Sequence, residues 1–163
     1  MRNLERLTVG DTYDPDRSLF LVGLQDEFST VVQGLAQHPE LRGTFVVDEQ
    51  QRLLGVITRN DLLDWARAKL GTSLHAPWKG TEKTLRLASL INASTVSEVV
   101  HADSIRAAVS LDNSLAHALK LMVEMELIVL PVVDVDRRVI GEVRLSNILA
   151  RALEAGDENG SSV

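Results

Sequence analysis

Cysteine is absent from the 163-residue chain. A disulfide framework, a thiolate metal site and a cysteine nucleophile are excluded with it. Aromatic residues are scarce, two Trp, one Tyr and three Phe, so the core has to be built from Val, Leu, Ile and Ala. A basic excess is missing too. The 17 Lys+Arg stand against 23 Asp+Glu, a formal charge of −6. Proteins that hold nucleic acid through its phosphates carry the opposite balance, so no nucleic-acid partner is expected. No apolar run approaches the ~18 residues needed to cross a bilayer. The opening MRNLERLTVGD has no apolar signal-peptide core. These absences lead to the expectation of a cytoplasmic protein without membrane insertion. The length itself suits one compact domain or two small repeats.

The chain does repeat itself. FVVDEQQRLLGVITRNDLL (45–63) and PVVDVDRRVIGEVRLSNIL (131–149) superimpose at an offset of 86 without a gap. Extended back to Leu41 and Leu127, the match covers 23 positions with seven identities, among them Asp48/Asp134, Arg52/Arg138 and Gly55/Gly141. With the offset shifted by one, Thr8-Val9-Gly10-Asp11 falls on Thr95-Val96-Ser97-Glu98. Two copies of one supersecondary unit follow, near 8–70 and 95–153.

Each copy reads β-α-β-β-α. A short apolar run (19–24; 105–111) predicts a strand. Asp26 and Asp112 are then placed to cap a helix. The helices present Phe28, Val31, Val32 and Leu35 in one copy, and Leu115, Ala118, Leu119, Met122 and Val123 in the other, at one buried face. Two β-rich runs joined by a short polar segment predict a hairpin: 44–47 with 53–57, and 130–133 with 139–143. A closing helix carries Leu62, Leu63, Trp65 and Ala66, or Ile148, Leu149, Ala152 and Leu153. The hairpins make the class α+β. The domain reading is 1–70 as the first repeat with its N-terminal segment, 71–94 as a partly helical connector, 95–153 as the second repeat and 154–163 as a disordered tail. In the connector a helix is expected over 81–92 with Leu85, Ala88, Leu90 and Ile91 apolar, and Trp78 is read as an anchor.

The segments VVDEQQRLLGVITRNDLL and LPVVDVDRRVIGEVRLSNIL resemble the cystathionine-β-synthase (CBS) domain, which nearly always occurs in tandem. The resemblance spans both repeats. It implies a pair packed sheet to sheet with pseudo-twofold symmetry, discs that often form a homodimer, and a cleft between repeats that takes an adenosine-containing ligand such as AMP, ADP, ATP or S-adenosylmethionine. It implies no obligatory cofactor. The family's ribose-phosphate motif, Gly-apolar-apolar-Thr/Ser-x-x-Asp, is intact in the first copy as Gly55-Val56-Ile57-Thr58-Arg59-Asn60-Asp61. A helix N-terminus favours phosphate, Thr58 offers a hydroxyl, Asn60 lies within the motif, and the Asp61 carboxylate can accept from a ribose diol. Thr-x-x-Asp at a helix start is equally close to a capping box. Arg42 is a phosphate candidate or a solvated surface residue; Arg59 and Lys69 read as exposed helix residues. By resemblance the adenine would lie near Val100, Ile105, Leu127 and Ile128, positions that core packing also explains. In the second copy Arg144 replaces Thr58 and Asn147 replaces Asp61. Glu142 and Arg144 share a strand face, so they either pair and reshape the second cleft, or Arg144 meets phosphate.

Nothing else carries chemistry. His38, His75, His101 and His117 have no metal-ligand spacing. Glu124 and Glu126, two apart on a helix, would not face each other as an acid–base pair. The expectation is a regulatory module, not an enzyme, with a regulated enzyme or transporter as partner. The alternative is a ligand-free dimerisation and protein-interaction module.

Overall fold

The computed structural model describes residues 3–15, 19–70 and 81–157. Trp78 and the end of the chain from residue 158 fall outside them. Among the described residues, two three-stranded sheets and six α-helices make a mixed α+β fold. The first sheet has the order β2-β3-β4, from β2 (Leu21–Val22), β3 (Gly43–Val47) and β4 (Leu53–Thr58). The second has the order β1-β6-β5, from β1 (Asp14–Pro15), β5 (Val129–Val133) and β6 (Val139–Arg144). The helices are α1 (Phe28–Gln37), α2 (Arg59–Leu70), α3 (Thr81–Leu90), α4 (Val96–Val99), α5 (Leu115–Met125) and α6 (Leu145–Asp157). Helix α6 therefore runs past residue 153, through part of the segment expected to be a tail.

The repeated residues explain how the copies meet. In each hairpin an Asp closes the turn: Asp48 Oδ1 accepts from the backbone N–H of Gln50 and Arg52, and Asp134 Oδ1 from those of Asp136 and Arg138, all at 2.9 Å. Gln51 and Arg137, 86 apart, take left-handed backbone angles (φ 62° and 64°) to complete the turns. The two hairpin tips then bond to each other. Leu53 N–H donates to Arg137 O (3.0 Å) and Val139 N–H to Gln51 O (3.1 Å), with Arg52 and Arg138 bridged across the pseudo-twofold. Phe45, Leu53 and Val56 of the first sheet join the core that holds Val129, Val132 and Val143 of the second, so the sheets share one interior.

The sequence copies and the folded halves are not the same. Residues 4–13 leave the first copy and dock on α5: Val9 N–H donates to Asn113 O (2.8 Å) and Leu115 N–H to Leu7 O (2.9 Å). Residues 94–99 dock reciprocally on α1, with Phe28 N–H to Ser94 O (2.7 Å) and Val96 N–H to Asp26 O (2.9 Å). Each docking segment carries a capping box, Thr8 with Asp11 and Thr95 with Glu98. Four backbone and side-chain bonds from Ser94 and Thr95 pull the Glu98 carboxyl down to about 2.

Several local expectations change. The run 105–111 is no strand; Ala102–Arg106 is a 3-10 turn and Val109 makes one bridge to Val132. The cause is Pro131. Its counterpart Phe45 donates its N–H to Phe20 O (3.2 Å), a bond proline cannot make. Asp26 caps no helix. Its Oδ2 accepts from Gly23 N–H (2.8 Å) in the turn before α1, whose N-cap is Glu27. Helix α5 is capped by Ser114, which accepts from His117 N–H, not by Asp112. On α5 Leu115, Ala118 and Met122 are buried but Val123 is 70% exposed. On α3 the inward side is Arg86, Leu87 and Leu90, while Leu85, Ala88 and Ile91 are exposed.

Candidate functional site

Strand β4 delivers the motif to the start of α2. Gly55 has no room for a side chain: a Cβ there would lie 2.5 Å from Val100 Cγ2 and 2.8 Å from Ser104 Oγ. Its absence lets the turn at 102–106 close on the strand, and Val56 N–H donates to Ser104 Oγ (3.0 Å). Gly141 does the same for β1, whose Asp14 carbonyl would be 2.5 Å from a Cβ. Beyond Gly55 the strand and the turn diverge and leave an open cleft of about 390 Å³.

Val56, Thr58, Asn60, Asp61 and Asp64 form one wall of this cleft; His101, Asp103, Ser104 and Arg106 form another. The end of α5 closes it with Glu124, Met125, Glu126 and Leu127. Glu124 and Glu126 both reach it because α5 stops at Met125. Glu126 turns left-handed (φ 54°) and Leu127 N–H bonds back to Met122 O (2.8 Å). Helical spacing, which sets such residues apart, does not apply across that end. Five carboxylates thus line the cleft against Arg106 and His101.

Asp61 is its most constrained group. The side chain is 11% exposed. Oδ2 accepts from Thr58 N–H (2.8 Å) and lies 3.4 Å from the Thr58 hydroxyl. Oδ1 pairs with Arg86 Nη2 at 3.0 Å, and His101 Nε2 is 4.0 Å away. Burial pushes the carboxyl above its ordinary value. The Thr58 N–H, Arg86 and His101 oppose that push, and neighbouring Asp64 adds to it. The capping geometry and an open cleft are therefore present together.

Of the residues expected at a ligand, Thr58, Asn60, Asp61 and Leu127 line the cleft. Arg42, Val100, Ile128 and Ile105 are outside its lining. Arg42 and Ile128 are exposed, and Val100 packs beside Gly55 on the first core. Arg144 is on the other sheet, where Nε and Nη2 both meet Oε1 of the buried Glu142 at 2.5 Å. Arg59 is no idle surface residue. Its guanidinium donates to the carbonyls of Leu35 and Leu41 (3.2 Å each from Nη2), tying α2 to the end of α1. Lys69 Nζ donates to Ile91 O (2.7 Å), and Trp65 packs on Phe28. Sequence reasoning passed over His101, Ser104, Arg106 and Arg86, which reach the site only through tertiary contacts. A larger hollow of about 590 Å³, between Leu4 and Val123, is away from the motif. Its polar lining groups are Glu5, Lys120 and Glu124, the last two ion-paired at 3.6 Å, so it offers no converging set of donors and acceptors.

The CBS domain family matches at residues 13–68 and 96–154. A curated relative, the chloroplastic CBS domain-containing protein CBSX2 of Arabidopsis thaliana, is 26% identical over 95% of this chain and 67% of its own length. The crystal structure of CBSX2 in complex with AMP superimposes with a TM-score of 0.73 at 25% identity, covering 92% of this chain and 99% of that one. A CBS domain-containing protein from Thermotoga maritima gives a TM-score of 0.68 at 20% identity, over 91% and 95% of the two chains.

Proposed function

The chain belongs to the CBS domain family, and from that premise we propose that it is a regulatory module that binds an adenosine-containing ligand in the cleft between its repeats and catalyses nothing. The observation that carries this is the intact Gly55–Asp61 motif opening onto the 390 Å³ cleft, with Thr58 and Asp61 on its wall. Val56, Met125 and Leu127 supply apolar surface for a base, Asp61 the acceptor for ribose hydroxyls, and Thr58 with Arg106 the phosphate end. The AMP bound by CBSX2 supports that ligand class. Arg42 is not among the residues that line the cleft, and no role is given to it in this reading. The second cleft is empty on this reading, because the pair of buried Glu142 and half-buried Arg144 stands where the first copy has Val56 and Thr58.

The output is a change of shape passed to a regulated enzyme or transporter, which requires different ligand affinity in two states. A homodimer is part of the proposal. Leu63 and Leu149, equivalent in the two copies, are 49% and 37% exposed on α2 and α6, apolar surface that a second copy would cover. A cytoplasmic location fits the chain. Among the described residues no helix is long and apolar enough to cross a membrane.

Thermal unfolding with AMP, ADP, ATP and S-adenosylmethionine tests the reading. A ligand at 100 times its Kd adds about 2.7 kcal/mol, roughly 5–10 °C in Tm for a chain of this length. No shift with any of the four would replace it with the ligand-free interaction module, which the Glu142–Arg144 pair in the second cleft already favours on that side.

A further inference from the structure

Asp61 receives a cation from a part of the chain that belongs to neither repeat. Arg86 is on α3, in the connector, and its guanidinium reaches Asp61 Oδ1 at 3.0 Å. Its side chain is only 14% exposed. It does not line the cleft, so it supports the carboxylate from the flank and leaves the cavity open. Arg86 Nε is buried without a hydrogen-bond partner. An orphaned buried donor costs stability, so hydrogen bonding alone does not account for an arginine at this position. The repeat supplies an internal control. Where the second copy has Asn147 in place of the acid, there is no carboxylate to counter.

We infer that Arg86 is a positioning residue for the cleft: it fixes the Asp61 carboxylate, ionised and in one rotamer, for ligand hydroxyls, and so ties the docking of α3 to occupancy of the cleft. This rests on the cleft being an adenosine site. The charged groups around Asp61 make the need plain. Asp64 follows on α2 and is itself paired with Arg67 (3.0 Å). Asp103 and Arg106 face the cleft from the 102–106 turn, and Glu124 and Glu126 from the end of α5. His101 Nε2 is 4.0 Å away. Among these Arg86 is the cation in hydrogen-bonding contact; the rest of the field is mostly negative. A carboxylate has about four lone-pair directions. Thr58 N–H, the Thr58 hydroxyl at 3.4 Å and Arg86 take three, which leaves acceptor capacity for a ligand hydroxyl. Because one ionised carboxylate serves both α3 and the ligand, each favours the other, and the coupling is reciprocal. Ligand in the cleft then holds the connector helix down.

Three readouts test this on the full chain. Wild type, Arg86→Gln and Arg86→Lys are titrated with AMP at pH 6 and pH 8. The expected result is weaker AMP binding by Arg86→Gln than by wild type, with a larger deficit at pH 6, where an unsupported carboxyl is more readily protonated, than at pH 8. Arg86→Lys retains most of the affinity. Equal affinity of Arg86→Gln and wild type at both pH values overturns the proposal. Carboxyl ¹³C titration of Asp61 decides the matter without ligand: its midpoint rises in Arg86→Gln, and an unmoved midpoint refutes the role. If wild type binds no adenosine ligand, the cleft reading fails and that titration still rules on Arg86. Amide exchange over residues 86–90 of the wild type completes the set. AMP is expected to slow it, and unchanged or faster exchange with AMP bound sinks the coupling.

Discussion

Removing the Asp61 side chain is expected to damage the fold as well as the site, and by an amount the structure fixes. In Asp61→Ala the Thr58 N–H loses its cap, a loss of about 1 kcal/mol. Arg86 is left with its charge at 14% exposure and no counter-ion. Breaking a buried pair from one side costs about 3–5 kcal/mol. Solvent reaching the pair through the cleft puts the sum near the lower end, about 4 kcal/mol. Urea unfolding followed by circular dichroism measures it as a fall in midpoint at constant slope. The control is Arg86→Met in the same background. If the cost comes from an uncompensated charge, Arg86→Met added to Asp61→Ala recovers about 2 kcal/mol, and the double-mutant cycle shows strong coupling. A single-mutant loss below about 1 kcal/mol, or additive losses, would refute the buried-pair account. It follows that a ligand assay on Asp61→Ala has to be read against its own unliganded midpoint.

Three further outcomes are expected. Gly141→Ala should cost more than Gly55→Ala, about 1–3 kcal/mol being usual for overpacking, because its Cβ meets the Asp14 carbonyl while Gly55's meets side-chain ends; thermal unfolding of the two ranks them, and the reverse order would count against the close-approach argument. Glu98, whose carboxyl sits at about 2 when folded against 4.5 otherwise, is depressed. Its contribution is therefore complete above pH 4.5 and is lost as pH falls toward 2; Glu98→Gln should flatten the acid limb of stability in that window, and an unchanged limb would exclude the capping box as its source. Isothermal titration should count one AMP per chain, rising to two in Glu142→Val/Arg144→Thr/Asn147→Asp, which restores the first copy's residues at the three positions where the motif is lost; two per chain in the wild type would show that the Glu142–Arg144 pair blocks nothing.

The hairpins were legible because their signals are local and doubled, while the packing of sheet on sheet was implied by the resemblance to the CBS domain. Alternating apolar residues around Asp48–Arg52 and Asp134–Arg138 give the same turn twice, and the structure makes the same bonds twice. The motif at Gly55–Asp61 was legible because its residues are contiguous in the chain, although the second copy does not repeat it. What the sequence concealed depends on which segments meet. Pro131 removes a donor and so abolishes a strand 20 residues upstream of it. Glu126, expected on the helix, turns left-handed just past its end at Met125, and that places both glutamates in the cleft. Arg86 has no periodicity or motif to mark it; only the docking of α3 on α2 brings it to Asp61. Val100, Ile105 and Ile128 were apolar residues near the right place, and apolar character alone does not tell a ligand wall from a core or a surface.

The exchange of docking segments bears directly on how such a module transmits a signal. Residues 4–13 complete the half built on α5, and residues 94–99 complete the half built on α1. The α1 half thus depends on chain that follows the connector, and its core includes Leu90 and Ala93 from the connector itself. The turn at 102–106, which forms one wall of the cleft, continues from that same docking segment. A ligand that draws the 102–106 wall toward Thr58 and Asp61 therefore pulls on α4, on the 94–99 contacts and on α3 at once. These elements are joined by backbone, by Val96 and Val99 in the α1 core, and by the Arg86 pair. A rigid link of this kind can convert a small closure of the cleft into movement of the connector.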